Sequence, residues 1–182
     1  MGAAAPADYC RAAPLLILRR IIMRQMRRIE RQITDPAAIK EMVAGCEVMR
    51  VAFNDPDEGD IFVVPVNYGF TEENGEYTLY FHGAKAGRKA DLGRKGGIVG
   101  FEMDRGYELV TDENPCDHTC RYESIIGSGE ITFLEDDEDK KVGLAAVMGQ
   151  ISDRDFEFPP EMIKATAVFR IKVNNLSVKV HE

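Results

Sequence analysis

The 182-residue chain has no apolar run approaching the roughly 20 residues that a membrane-spanning helix requires. A transmembrane protein is therefore not expected. It also lacks an excess of positive charge: 23 Lys and Arg stand against 31 Asp and Glu, a formal net charge of −8. Such a balance repels a phosphate backbone and argues against nucleic acid as a partner. Cysteine is sparse, with only Cys10, Cys46, Cys116 and Cys120, which suits a reducing cytoplasm better than an exported disulfide scaffold. No GxSxG elbow, HExxH helix, Walker loop or GxGxxG turn occurs, so the common hydrolase, kinase and dinucleotide-binding chemistries lack their signatures.

What the chain does contain is 45% apolar and 30% charged residues, the composition of a soluble globular domain at a length suited to one core. Charge is unevenly spread. Residues 1–31 carry seven arginines against Asp8 and Glu30, or +5, leaving 16 basic against 29 acidic side chains, or −13, for the remainder. The first 25 residues form an Ala/Pro-rich extension whose apolar run, Leu15 to Ile22, is broken by Arg19 and Arg20. Without a charged n-region or a cleavage site it fails the anatomy of a signal peptide. The expectation is a poorly ordered extension, or an artefact of the gene start if translation begins at Met23 or Met26, with one domain over residues 26–182.

Within that domain Thr34-Asp35-Pro36 predicts a helix start, with Ile39, Met42 and Val43 at helical spacing before Gly45. A strand follows over 47–53, then a turn at Asn54-Asp55-Pro56-Asp57 and Gly59. The apolar stretch 60–70 reads as one long strand, placed at an edge or bulge by Pro65. The Glu72-Glu73-Asn74-Gly75 turn joins it to an alternating strand over 76–82, which makes a hairpin. Further strands are expected over 98–103 and 121–134, the latter bent at Gly127 and Gly129. The charge run 135–141 leads into a helix over 142–151 with Val142, Ala145, Ala146 and Met148 on one face. A final strand pair over 164–180 turns at Asn174-Asn175. Strands in hairpin order with helices outside them predict an antiparallel α+β domain or small closed barrel.

Three segments could carry chemistry. His82-Gly83-Ala84-Lys85-Ala86-Gly87-Arg88-Lys89 places cations among small residues where a strand enters a helix, with Arg94 and Lys95 beyond. Helix-start N–H groups, a forked guanidinium and a point-charge ammonium are the usual means of holding a phosphate, although a solvated basic turn has the same spacing. Val64-Pro65-Val66-Asn67-Tyr68 is an extended segment whose proline leaves main-chain groups for a flat heterocycle, or is simply an edge strand of the core. Cys116, His118 and Cys120 invite a zinc reading but have no second ligand pair at short spacing.

In order along residues 26–180, these pieces resemble the pyridoxamine 5'-phosphate oxidase-like flavoproteins, above all the nitroimidazole-resistance branch. The resemblance rests on Met26-Arg27-Arg28 with Thr34-Asp35, Arg50-Val51-Ala52, Val64 to Tyr68, Leu79 to Ala84, Gly87-Arg88-Lys89, Asn114-Pro115-Cys116 and Tyr122 to Gly129. It implies a mainly β fold, an antiparallel split β-barrel with peripheral helices, and a homodimer that binds FMN between its subunits. On the same basis Arg88 and Lys89 would hold the phosphate. Val64, Pro65, Val66 and Asn67, together with Tyr80, Phe81, His82, Gly83 and Ala84, would flank the ring and ribityl chain, and Ser124 would add a polar contact. His82 would lie close enough to the reacting centre to act catalytically, or serve as a satisfied barrel histidine.

The chain also departs from the oxidase branch. It has no Trp, and Arg170 to Glu182 does not resemble that branch's substrate-holding tail, so pyridoxamine phosphate oxidation is not expected. Gly96-Gly97 and Gly100 loosen a strand that is more apolar in many relatives, and His118 stands where an aromatic residue is common. The expected function is reduction of a small electron-poor acceptor by an FMN-dependent oxidoreductase in the cytoplasm. The alternatives are a non-catalytic flavin, deazaflavin or haem binder of the same fold, and a zinc-stabilised interaction module.

Overall fold

The computed structural model describes residues 26–182, and the expectations for residues 1–25 lie outside them. Among the described residues seven strands form one antiparallel sheet: β1 (Met49–Asp55), β2 (Asp60–Val66), β3 (Tyr68–Glu73), β4 (Glu76–Gly83), β5 (Gly97–Val110), β6 (Thr119–Phe133) and β7 (Ala167–His181). Among the same residues four α-helices lie outside it: α1 (Pro36–Gly45), α2 (Arg88–Lys95), α3 (Asp137–Ile151) and α4 (Pro160–Ala165). None of the described helices is long and apolar enough to cross a membrane.

The sheet order is β2-β1-β5-β6-β7-β4-β3, which puts β2 and β3 at opposite edges although only Asn67 separates them in sequence. Two virtual bonds of about 3.8 Å join Val66 to Tyr68. The two edges must therefore meet there, and the sheet curls into a barrel that is split wherever they diverge. This is the antiparallel split β-barrel with peripheral helices that the sequence predicts. The stretch 60–70 is not one strand. It remains extended but changes partner at Asn67, pairing with β1 before it and β4 after it.

The barrel interior is filled by alternate residues of every strand, among them Met49, Val51, Phe53, Phe101 and Ile125, all buried. Phe81 and Phe169 stack at 4.7 Å between centroids, and Phe133 meets Phe169 edge-on. Helix α1 begins as expected, with the Asp35 carboxylate accepting the Ala38 N–H at 2.9 Å and Pro36 at its first position. Its last carbonyls would be orphaned in a buried setting. Tyr68 donates its hydroxyl hydrogen to the Val43 carbonyl, and Gln150 of α3 donates to the Ala44 carbonyl at 2.7 Å.

Three expectations give way to the structure. Helix α3 starts at Asp137, inside the charge run, because Asp136 caps it by accepting the Glu138 and Asp139 N–H groups. Its buried positions are Lys140, Gly143 and Val147, whereas Val142 is 52% exposed and Ala145 is exposed. The small residue Gly143 faces the sheet because Val168 and Tyr80 crowd it there. The final strand pair is a single strand, β7, since both halves pair with β6 and Asn174 is absorbed as a bulge opposite Ser128-Gly129. Helix α4, with Ile163 buried, was not anticipated.

Close approach of α3 to β3 depends on Gly69, where a Cβ would run into the Ala146 carbonyl. Gly69→Ala should lower stability by about 1–3 kcal/mol through overpacking. Gly149→Ala, in the same helix with open space around it, should be neutral or stabilising by up to about 1 kcal/mol. Urea unfolding midpoints check both, and equal effects would contradict the packing described.

Candidate functional site

Three elements converge where the barrel is split. Strand β2 is an edge strand, so main-chain groups on its outer side have no neighbouring strand, and Pro65 offers no N–H there. Pro65 and Asn67 are exposed, while Val64 and Val66 turn into the barrel. Because Tyr68 pairs with Phe81, Asn67 comes beside His82 at the end of β4. The start of α2 completes the site. Its N-cap, Gly87, has no side chain to bond the first helical N–H groups, which leaves them free for an anion.

Adjacent residues of α2 reach towards both ends of this slit. Arg88 stacks its guanidinium over Phe62 of β2 at 4.8 Å from the ring centroid, and donates to Asp55 at 2.8 Å and Asp60 at 3.3 Å. Lys89 donates to the main-chain carbonyl of His82 at 3.3 Å. Its ammonium passes so close to Gly83 that an added Cβ would stand 2.5 Å from Nζ. Desolvation pulls the Lys89 pKa below the ordinary lysine value. An ammonium in that setting, with a neutral carbonyl as its hydrogen-bond acceptor, favours an incoming anion.

The basic cluster of the sequence divides in two. Arg94 stacks on Phe133 and bonds the Lys85 carbonyl at 2.6 Å, and Lys95 pairs with Asp57. Arg94 is thus held against the barrel and Lys95 by an exposed acid, while Arg88 and Lys89 are the two that reach the slit. Tyr80 is buried against Val147 and Val168 beneath α3, and Phe81 lies in the barrel core, so their rings are committed to packing and only their main chain borders the slit. Gly83 is half-buried and Ala84 exposed at its rim.

Ser124 lies across the outer face from this slit. Val66, Met49, Met103 and Ile125 pair in turn, which puts Ser124 in the cross-sheet row of Asn67, three strands and about 14 Å away. Sequence reasoning does not single out Asp55 and Asp60, the partners of Arg88. Their signal is the acid-rich turn 54–60, whose composition reads as a connection. A cleft of about 410 Å³ opens on this acidic side of Arg88, lined by Asp55, Asp57, Glu58 and Asp91 among others. Cys116, His118 and Cys120 do not form a ligand set: among the described residues no three His, Cys, Asp or Glu side chains gather around a common point.

The sequence profile of the family described as pyridoxamine 5'-phosphate oxidase matches residues 35–180. No curated protein matches the sequence. Among solved structures, a candidate 5-nitroimidazole antibiotic resistance protein of Bacteroides thetaiotaomicron superposes with a TM-score of 0.70 at 26% identity, covering 82% of this chain and 86% of its own. A flavocytochrome of Azotobacter vinelandii shares the fold at TM-score 0.69 and 21% identity, over 87% of this chain and 72% of that one. So does an FAD- and haem-binding protein of Mycobacterium smegmatis, at 0.70 and 18%, over 84% and 74%.

His82 is solvent-accessible, yet its pKa lies below the ordinary histidine value, first through desolvation and then through the positive charge of Lys89. Its imidazole is therefore neutral at pH 7. The folded state binds this proton less readily than the unfolded chain, so His82 contributes stability above about pH 6.5 that is lost as the pH falls from there through its lowered value. Lys89→Met should raise the His82 midpoint part of the way to the ordinary value, because burial remains. An NMR titration of the ring checks this, and an unmoved midpoint would separate the two groups electrostatically.

Proposed function

The chain belongs to the pyridoxamine 5'-phosphate oxidase family, and from that membership and the geometry of the slit we propose that it is an FMN-binding oxidoreductase acting on a small electron-poor acceptor. The observation that carries the reading is the meeting of Arg88, Lys89 and the uncapped start of α2 with the free edge of β2 and the end of β4. The donor set fits a phosphate: a guanidinium fork, a desolvated ammonium and unbonded helix N–H groups. The edge main chain from Val64 to Asn67 fits the polar rim of a flat ring, and Gly83 keeps the space beside Lys89 clear.

Bound flavin supplies hydride and electron transfer. The residues of this chain hold and orient it. Lys89 and Arg88 anchor the phosphate end, Asn67 addresses the ring edge, and His82, neutral at pH 7, is placed to donate or accept a proton at the acceptor. A nitro compound is a suitable acceptor class, in keeping with the description of the Bacteroides relative.

A second copy of the chain completes the site in this reading. The outer face of β2, β1, β5 and β6 exposes Ile61, Val63, Ile98 and Ile126, each more than half exposed. The cross-strand row Val63, Ala52, Gly100 and Ser128 keeps that face flat. Such a patch on a stable protein calls for cover. A copy docked there brings its own Ser124, on the same face as Ile126, towards the slit of the first.

The purified protein should be yellow with a flavin spectrum, or gain thermal stability when FMN is added in excess of its Kd. A colourless protein with no thermal gain refutes the proposal, and a haem spectrum transfers the fold to a different cofactor. Lys89→Glu should cut FMN affinity by at least about 100-fold, replacing an attraction at the phosphate by a repulsion, with the far-ultraviolet circular dichroism unchanged. Reduced, FMN-loaded protein should be reoxidised by a 5-nitroimidazole under anaerobic conditions, and His82→Gln should slow that step without loss of flavin. Sedimentation should give a dimer that Val63→Glu dissociates.

A further inference from the structure

Arg88 lies between two carboxylates that differ in every respect relevant to a ligand. Asp55 closes β1, its side chain is 5% exposed, and it accepts from Nε at 2.8 Å. Asp60 opens β2, is 61% exposed, and accepts from Nη2 at 3.3 Å. Phe62 supports the guanidinium plane from one face. With Nε held by Asp55 and the plane fixed by the ring, the remaining freedom of the side chain is small. The donors on Nη1 and Nη2, the latter engaged by Asp60, form the fork that matches an anion's oxygens.

We infer that these two acids act on the phosphate anchor in opposite directions: Asp55 is a positioning residue that aims the Arg88 fork at the slit, and Asp60 is a built-in competitor that occupies the fork until a phosphate displaces it. The inference rests on the FMN reading of the site. Asp55 is nearly buried and its carboxylate is engaged by Arg88 Nε, so its influence on the phosphate passes through Arg88. Its carboxyl is held below the usual range chiefly by the Arg88 hydrogen bond, which keeps it charged across the neutral range. Asp60 presents its charge to solvent beside the Nη2 end of the fork. Its weaker, longer contact is the one a phosphate exchanges most readily. The pair thus sets selectivity: a ligand with a phosphate can take the fork from Asp60, whereas one without it leaves the Arg88–Asp60 contact in place.

The test uses the full chain freed of flavin, with dissociation constants for FMN and for riboflavin, which lacks the phosphate, measured by fluorescence quenching in wild type, Asp60→Asn and Asp55→Asn. Asp60→Asn should tighten FMN about three- to tenfold by removing the competitor, and Asp55→Asn should weaken it about tenfold by releasing Arg88. Riboflavin affinity should stay within about twofold in all three proteins, a pattern that a general loss of structure does not produce. If Asp55→Asn does not fold, the exposed Asp60→Asn alone decides. Unchanged or weakened FMN binding in Asp60→Asn overturns the inference. A wild type that prefers FMN to riboflavin while the variants stay silent overturns it and leaves the FMN reading standing. A wild type with no such preference removes the phosphate anchor and the inference together.

Discussion

The covalent link through Asn67 between strands at opposite edges of one sheet is the constraint on which the rest of this structure depends. A seven-stranded sheet left open would bury one face against a layer of helices. Here the chain ties one edge to the other at a single residue, so the sheet must close on itself, and its core is the interior of the barrel rather than a flat interface. Closure at one point cannot close the whole seam, because β2 and β3 run on in different directions from Asn67. The unpaired edge of β2 is thus a direct product of the topology. It supplies main-chain hydrogen-bonding groups in an extended row, which side chains alone do not provide as regularly.

Electrostatics divide that seam into two sides. The turn between β1 and β2 and the start of α2 bring Asp55, Asp57 and Asp60 against Arg88 and Lys95. Lys89, one residue from Arg88, faces away from these acids towards His82. A body with a formal −13 outside its first 31 residues therefore keeps one small positive locality, bounded by acids on one side and by the barrel on the other. Exposed ion pairs contribute little stability. The role of these lies in geometry, since each of the three cations Arg88, Arg94 and Lys95 is directed by a named partner.

Much of this was legible in the sequence, and the parts that were not share a cause. The start of α1 shows in Asp35-Pro36, the β3–β4 hairpin in Asn74-Gly75, and the α2 entrance in Gly87-Arg88-Lys89, because caps, turns and helix starts are written in adjacent residues. The change of partner at Asn67 is invisible to such reading, since the backbone stays extended through it and only the neighbour changes. The continuity of β7 past Asn174-Asn175 is hidden for the same reason: a turn-like pair becomes a bulge once β6 pairs on both sides of it. The inward face of α3 misleads in a different way. A glycine and a lysine, Gly143 and Lys140, occupy the buried positions because Tyr80 and Val168 stand too close for larger side chains at Gly143, and composition alone favours Val142 for that place. The pairing of Arg88 with Asp55 joins residues 33 positions apart, so the turn could be read from its composition while its charge partner could not.

The separation of Asn67 and Ser124 across the outer face bears on the proposed assembly. Strand register holds them three strands apart in one cross-sheet row, and no internal motion of a hydrogen-bonded sheet shortens that span without breaking it. In the dimer proposed above, the serine contact comes from a second copy docked on this face. On the FMN reading, binding and association become linked equilibria: whatever favours one favours the other by the same free energy. The apolar outer face then has a role beyond burial. Flatness at Ala52 and Gly100 lets two sheets approach closely, and a close approach is needed if a serine hydroxyl from one copy is to reach a ring held at the edge of the other.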